Sequence, residues 1–327
     1  MQWAEKLDMA MPRPIRVILR GVGQVFFCGN AVTGLIFLIG LYVGGIIAGL
    51  AATVGVVTST VTAYLLGVSE DDIDFGLYGF NGTLCGPCLF LFLDYTPLLW
   101  VYVILASLLS SVVLAALIRI LTPYGIPAST SPFVLVCWMF MAAVFSFEAL
   151  SRGPVLPEPG IPASIASADA ASGAWLTSMT DQTADLWYTA LTKGIAEVMF
   201  ADSVVVGLLF LLGIAIVSWR GAIMAICGTF VGVLFPILLG ANNGLIEMGL
   251  YAFNPVLTMM SVGWVFLKPS NGTALLALIA GILTVICQAG LANFLAPLGL
   301  PTLTLPFVLT MWMFLYAASM SKFWKAD

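Results

Sequence analysis

The chain has 327 residues, 61% of them hydrophobic, and its 11 Lys and Arg with 16 Asp and Glu make up only 8% of the total, about a third of the charged share of a soluble domain. Too few charges remain to cover a water-soluble globule of this size, so the missing solvent is lipid. The absence of histidine excludes imidazole proton relays and His metal sites, and a net charge of −5 with scattered cations leaves no footprint for nucleic acid.

In chain order, residues 1–20 carry Lys6, Arg13, Arg16 and Arg20 with apolar residues between them, the pattern of an interfacial helix, and 1–14 is set apart as an interfacial segment. This stretch lacks the uninterrupted apolar core and cleavage site of a signal peptide. Apolar runs follow at 31–48, 52–66, 76–93, 96–120 and 132–149, and again at 203–218, 221–239, 249–267, 272–296 and 305–321. With about 20 residues per span there is room for roughly ten spans and some shorter re-entrant pieces. The acidic stretch Glu70 to Asp74 reads as a solvated turn. Residues 150–186, rich in Pro, Ala, Ser and Asp, read as an external connecting loop between a first half (1–149) and a second (187–327). The cysteines Cys28, Cys85, Cys88, Cys137, Cys227 and Cys287 all lie in apolar runs and read as small hydrophobes. Cys85 and Cys88 have the spacing of a redox motif but sit at lipid depth, without the βαβ context such a motif needs.

The second half repeats the first at an offset of 173 to 174 residues. Asp74-Phe-Gly-Leu-Tyr-Gly-Phe-Asn81 falls on Glu247-Met-Gly-Leu-Tyr-Ala-Phe-Asn254. Pro127-Ala-Ser-Thr-Ser-Pro-Phe-Val-Leu135 falls on Pro301-Thr-Leu-Thr-Leu-Pro-Phe-Val-Leu309, and Trp138 on Trp312. Chance likeness between apolar helices would match Leu and Val, not Asn, Pro, Trp and Thr in register. If each half has five spans and the N-terminus is cytoplasmic, nine Lys and Arg lie inside and two, Arg152 and Lys193, outside. The expectation is an all-α integral membrane protein of two inverted-topology repeats, both termini cytoplasmic, with its permeation site at the repeat interface.

No catalytic set is visible. The phosphate-binding loop of nucleotide-driven pumps and the potassium-filter motif are absent, and without histidine the usual serine nucleophile arrangement fails. Asn254-Pro255-Val256 resembles the paired motif of water channels, but its repeat partner is Asn81-Gly82-Thr83. What remains is placed symmetrically. Thr130 and Thr304 each stand two residues before a proline that breaks the preceding backbone, and such breaks survive at membrane depth only in protein or beside a wet cavity; a hydroxyl bonding back to its own helix is the alternative. Gln24 and Glu197 sit in segments too brief to span, 15–29 and 188–202. Glu197 reads either as a proton or cation site or as an interfacial carboxylate; its partner Gln24 does not titrate. Phe27 pairs with Phe200, Phe80 with Phe253 and Leu84 with Leu257, where helix packing is the plainer reading. A slot between ring faces and carbonyls would suit a small, flat, neutral solute with NH donors.

These residues resemble the urea transporter family, in the doubled Thr-x-Pro-Phe-Val-Leu segments, in Phe80-Asn81 and Phe253-Asn254 after Gly-Leu-Tyr, and in the Gln24 and Glu197 segments. The likeness covers nearly the whole chain and looks close to a bacterial member. It implies two repeats, each of five spanning helices and one re-entrant half-helix, in a homotrimer of the inner membrane whose protomers each have their own pore. It implies a passive path for urea, with no cofactor, no metal and lipid as the surrounding partner. The end sites would use Gln24, Val25, Phe27, Phe80 and Leu84 with Glu197, Val198, Phe200, Phe253 and Leu257, where amides donate to carbonyl ladders; Thr130 and Thr304 would mark the middle. Ammonia and short amides stay open as further solutes. The rivals are a secondary transporter coupled to protons or sodium through Glu197, and a receptor or assembly protein with a closed centre.

Overall fold

A computed structural model describes residues 2–161 and 184–321. Pro12 divides the basic N-terminal stretch into two helices, α1 (Gln2–Ala10) and α2 (Arg13–Gly23). The first does more than lie at an interface. Its Ala4 and Asp8 are buried; Asp8 accepts from the Ala31 N–H (2.7 Å) and from the Arg20 Nε (3.1 Å), and the Ala4 carbonyl accepts from the Asn30 amide (3.4 Å). These bonds seat α1 over the break between α2 and α3 (Ala31–Gly44), where the chain bends by 75°. Asn30 itself caps α3, its Oδ1 accepting from the Val32 N–H (2.9 Å).

Gly45 separates α3 from α4 (Ile46–Leu66). The acidic stretch is not a free turn. It forms the single-turn helix α5 (Glu70–Asp74) with Ile73 buried, and Arg13 reaches Glu70 (2.9 Å) and Asp74 (2.7 Å) while Arg20 donates to the Asp74 carbonyl (2.7 Å). Then come α6 (Phe80–Phe92), α7 (Pro97–Leu121) and α8 (Ser131–Ala143). The start of the connecting loop is tied to the end of α6, with the Gly153 N–H donating to the Phe92 carbonyl (2.8 Å). Residues 162–183 of that loop, and Lys322 and Lys325 used in the charge count, lie outside the described residues, and 184–186 already belong to the next helix.

The second half has the same order of elements: α9 (Ala184–Ala196), a 73° bend, α10 (Val204–Val217), α11 (Trp219–Leu238), α12 (Asn243–Glu247), α13 (Phe253–Met260) continued by a π turn to Val265, α14 (Asn271–Leu295) and α15 (Leu305–Ser319). Two pairs agree in length, with 14 residues in both α3 and α10 and 25 in both α7 and α14. Among the described residues there is no strand, and Leu93 and Arg152 form an isolated bridge. Four helices, α4, α7, α11 and α14, are long and apolar enough to cross a membrane, and six spans result if each bent pair counts as one. The apolar runs at 76–93, 132–149 and 305–321 become shorter helices, and the one at 249–267 is split between α13 and the π turn. The chain is a helical membrane protein.

Helices in lipid gain little from the hydrophobic effect and must approach closely to gain contact, which favours small residues at their crossings. A methyl group at Gly55 on α4 would lie 2.0 Å from the Gly82 carbonyl oxygen on α6, and one at Gly82 would lie 2.3 Å from that of Gly55. The two halves meet in a similar way at α3 and α10. Phe37 covers Gly213, Phe210 covers Gly40, and the two rings stack edge to face at 5.2 Å. Gly55→Val is therefore expected to cost more than the ~1–3 kcal/mol of ordinary overpacking, because backbone rather than a side chain would have to move. Gel filtration of the detergent-extracted variant should show loss of the monodisperse species, and an unchanged profile would refute the crossing as described.

Candidate permeation site

Both bends end in the same turn. After α2 the backbone tightens to a 3-10 turn over Gln24–Phe26, and after α9 over Glu197–Met199. Each is closed by a phenylalanine in the left-handed region, Phe27 at φ 59° and Phe200 at φ 61°. The Gln24 carbonyl accepts from Phe27 and that of Gly23 from Cys28, leaving the Val25 carbonyl with no backbone donor; Glu197, Ala196 and Val198 repeat the arrangement. The strained phenylalanines turn their rings onto the other half. Phe27 meets Phe266 (5.8 Å) and Phe307 (6.2 Å), and Phe200 meets Phe92 (6.4 Å) and Phe133 (5.9 Å).

The proline breaks before α8 and α15 hold the other strained pair, Ser129 at φ 50° and Leu303 at φ 48°. A non-glycine residue in this region costs roughly 1–3 kcal/mol and persists where its surroundings over-determine it. Here they do. Asn81 on α6 accepts from the Phe133 N–H (3.1 Å) and donates to the Ser129 carbonyl (3.4 Å). Asn254 on α13 accepts from the Phe307 N–H (3.2 Å) and donates to the Leu303 carbonyl (3.1 Å). Across the halves, the Trp138 indole donates to the Pro301 carbonyl (2.8 Å) and the Trp312 indole to the Pro127 carbonyl (2.8 Å). Between these straps the Thr130 and Thr304 hydroxyls lie 2.7 Å apart, both residues buried. Replacing both tryptophans by Phe removes two hydrogen bonds worth about 0.5–1.5 kcal/mol each. The expected result is a lower thermal unfolding midpoint for the double variant, with smaller effects of each single change; equal midpoints would show that the straps carry no stability.

Two chambers adjoin the threonine pair. One, of about 210 Å³, is lined by Gln24, Val25, Phe27, Phe75, Phe80 and Thr130 among others, with Val265 and Phe266 from the second half. The other, of about 440 Å³, is lined by Glu197, Phe200, Tyr251, Phe253, Gln288 and Leu303 among others, with Leu91 and Phe92 from the first half. Leu84, Val198, Leu257 and Thr304 are buried and line neither chamber. No cluster of potential metal ligands occurs among the described residues, and all six cysteines are free.

The chambers differ at the Gln24 and Glu197 positions, and again at a residue that the repeat alignment did not single out. Gln24 Nε2 donates to the Phe75 carbonyl (3.0 Å), whereas Lys193 beside Glu197 is bound to Asp202 (2.6 Å). Gln288 on α14 accepts from Asn254 (2.9 Å) and donates to the Leu250 carbonyl; its repeat partner is Leu114. Gln288 inside the apolar run 272–296, at a position where the first half has leucine, was the available signal.

A family model described as urea transporter matches residues 15–319, from α2 to the end of α15. The chain belongs to the urea transporter family. Among similar proteins are the sheep protein named Urea transporter 1, 29% identical over 302 residues that make up 91% of this chain and 75% of the relative, and the mouse protein of the same name, 29% identical over 305 residues with the same coverage. Rat Urea transporter 1 is 28% identical over 302 residues. Membership places the chain among multi-pass membrane transporters rather than enzymes.

Proposed function

We propose that the protein is a passive channel for urea, built as two inverted repeats of five spans and one half-helix each, with the path running from one chamber past Thr130 and Thr304 to the other. The observation that carries this reading is the hydroxyl pair at 2.7 Å between two apolar chambers of unequal size. Urea is flat and carries four N–H donors and one strong acceptor. Ring faces of Phe27 and Phe80, and of Phe200 and Phe253, suit its plane, while the carbonyls freed at Val25 and Val198 suit its edges. Val25, Leu84, Val198 and Leu257 would give the slot its apolar backing, and the hydroxyls a middle site.

Weak sites are what flux requires. A net hydrogen bond is worth about 0.5–1.5 kcal/mol, so each donation can offset lost water without trapping the solute. A hydrated ion finds no such compensation: the lining offers one carboxylate and few oxygens, too little to replace a hydration shell. The nine-to-two distribution of basic residues supports cytoplasmic termini and a Glu197 chamber facing outward, and the resemblance to a bacterial member supports the inner membrane. A homotrimer with one path per protomer is the assembly that family resemblance supports. Stopped-flow light scattering on proteoliposomes tests the function: urea shrinkage should relax faster than in protein-free vesicles, with thiourea competing, and no acceleration would overturn it.

A further inference from the structure

The repeat puts an acid and an amide at equivalent positions, and the two are embedded differently. Gln24 is fixed by its bond to the Phe75 carbonyl, and no charged residue lines its chamber. Among the described residues, Glu197 is the only charged one lining the larger chamber. The nearest cation, Lys193, is committed to Asp202 at 2.6 Å, and no ion pair among the described residues includes Glu197. Around it stand the rings of Phe92, Phe200, Tyr251 and Phe253. A carboxyl group outside any ion pair and set among aromatic rings is a site for an organic cation, whose charge would favour the ionised form and which charge-assisted hydrogen bonds and the ring quadrupoles would hold.

We propose that the larger chamber binds small planar cations of the guanidinium and amidinium class, which seat on Glu197 and block the path without crossing it. Guanidinium has the flat, three-armed shape of urea, with a third amino group in place of the carbonyl oxygen. It therefore reaches any carbonyl that urea reaches and adds a charged fork that matches a carboxylate edge to edge. Hydrogen bonds to an ionised partner are roughly twice as strong as neutral ones, so binding about tenfold tighter than urea is expected. Passage fails for the same reason. Beyond the chamber stand the Thr130 and Thr304 hydroxyls, engaged with each other, and then a chamber lined, among the described residues, without charge, so the cation would have to leave its counter-ion for uncharged surroundings.

This rests on the urea-path reading, and the test separates the two. Methylguanidinium chloride is the probe, because its methyl protons are visible by NMR, and potassium chloride at equal concentration is the control. Urea flux into wild-type proteoliposomes should be half-inhibited at roughly a tenth of the urea concentration that half-saturates flux, with no inhibition by potassium. Saturation transfer from the detergent-solubilised protein to the methyl signal should disappear on adding excess urea. In Glu197→Gln, whatever urea flux the variant retains should need at least tenfold more methylguanidinium for half-inhibition. Wild-type protein that passes urea but is not inhibited, or shows no transfer that urea displaces, overturns the proposal while leaving the channel intact. Absent urea flux overturns the channel reading, and the transfer measurement still decides whether the cation binds.

Discussion

The double variant Thr130→Val with Thr304→Val is expected to pass urea about tenfold more slowly than the native protein, a barrier increase of ~1.4 kcal/mol, while remaining folded. The two hydroxyls satisfy each other at 2.7 Å in a buried setting. Removing both leaves no orphan, and replacing both partners of a buried hydrogen bond by apolar groups is close to neutral for stability. What is lost is the polar contact that would replace water around a passing amide. Each single variant should behave differently. It leaves one buried hydroxyl without its partner, at a cost of about 1–3 kcal/mol, so both singles should unfold at lower temperature than the double. Stopped-flow permeability together with thermal unfolding of the four proteins checks this. Unchanged flux in the double variant would remove the threonines from the path, and additive instability would show that the hydroxyls do not depend on each other.

Asn254→Ala should be the most destabilising single change at the site, by about 3 kcal/mol or more, and worse than Asn81→Ala. Both side chains hold a strained break by accepting from a phenylalanine N–H and donating to a carbonyl, and a buried donor left unpaired costs about 1–3 kcal/mol. Asn254 also donates to Gln288 (2.9 Å), a third bond without a counterpart in the first half, where Leu114 stands at that position. The Asn254→Ala, Gln288→Leu double variant should recover part of the loss, since it removes the acceptor that the first change strands. Denaturation midpoints of the single and double variants give the coupling directly. A result in which Asn81→Ala is the more damaging would contradict the assignment of these bonds.

Much of this arrangement is legible in the amino-acid sequence because duplication writes each feature twice. A proline two residues after a threonine has many meanings alone; recurring as Thr130 and Thr304 in matched frames, it marks a pair. The same holds for the half-helix turns, since Gln24-Val-Phe-Phe27 and Glu197-Val-Met-Phe200 align without a gap. Features that occur once are hidden. Gln288 lies in a run of apolar residues, and only its surroundings in the fold, the bonds to Asn254 and to the Leu250 carbonyl, distinguish it from a lipid-facing amide. Asp8 reads as one acid of an amphipathic helix, and its burial under Arg20 depends on how α1 folds back over the α2 to α3 bend. The acidic α5 likewise reads as a solvated turn because its partners, Arg13 and Arg20, are about 50 to 60 residues away in the chain. Which aliphatic residues of the repeat face the chambers is also not encoded in type: Val25 reaches one and Leu84 does not.

Solute accumulation under an imposed gradient tests passive conduction most directly. Proteoliposomes holding the purified protein receive labelled urea at equal concentration inside and out, and an inward proton or sodium gradient is then applied. Passive conduction predicts that the internal concentration stays equal to the external one under both gradients. Accumulation above the external level under either gradient would contradict a channel and point to transport coupled through Glu197.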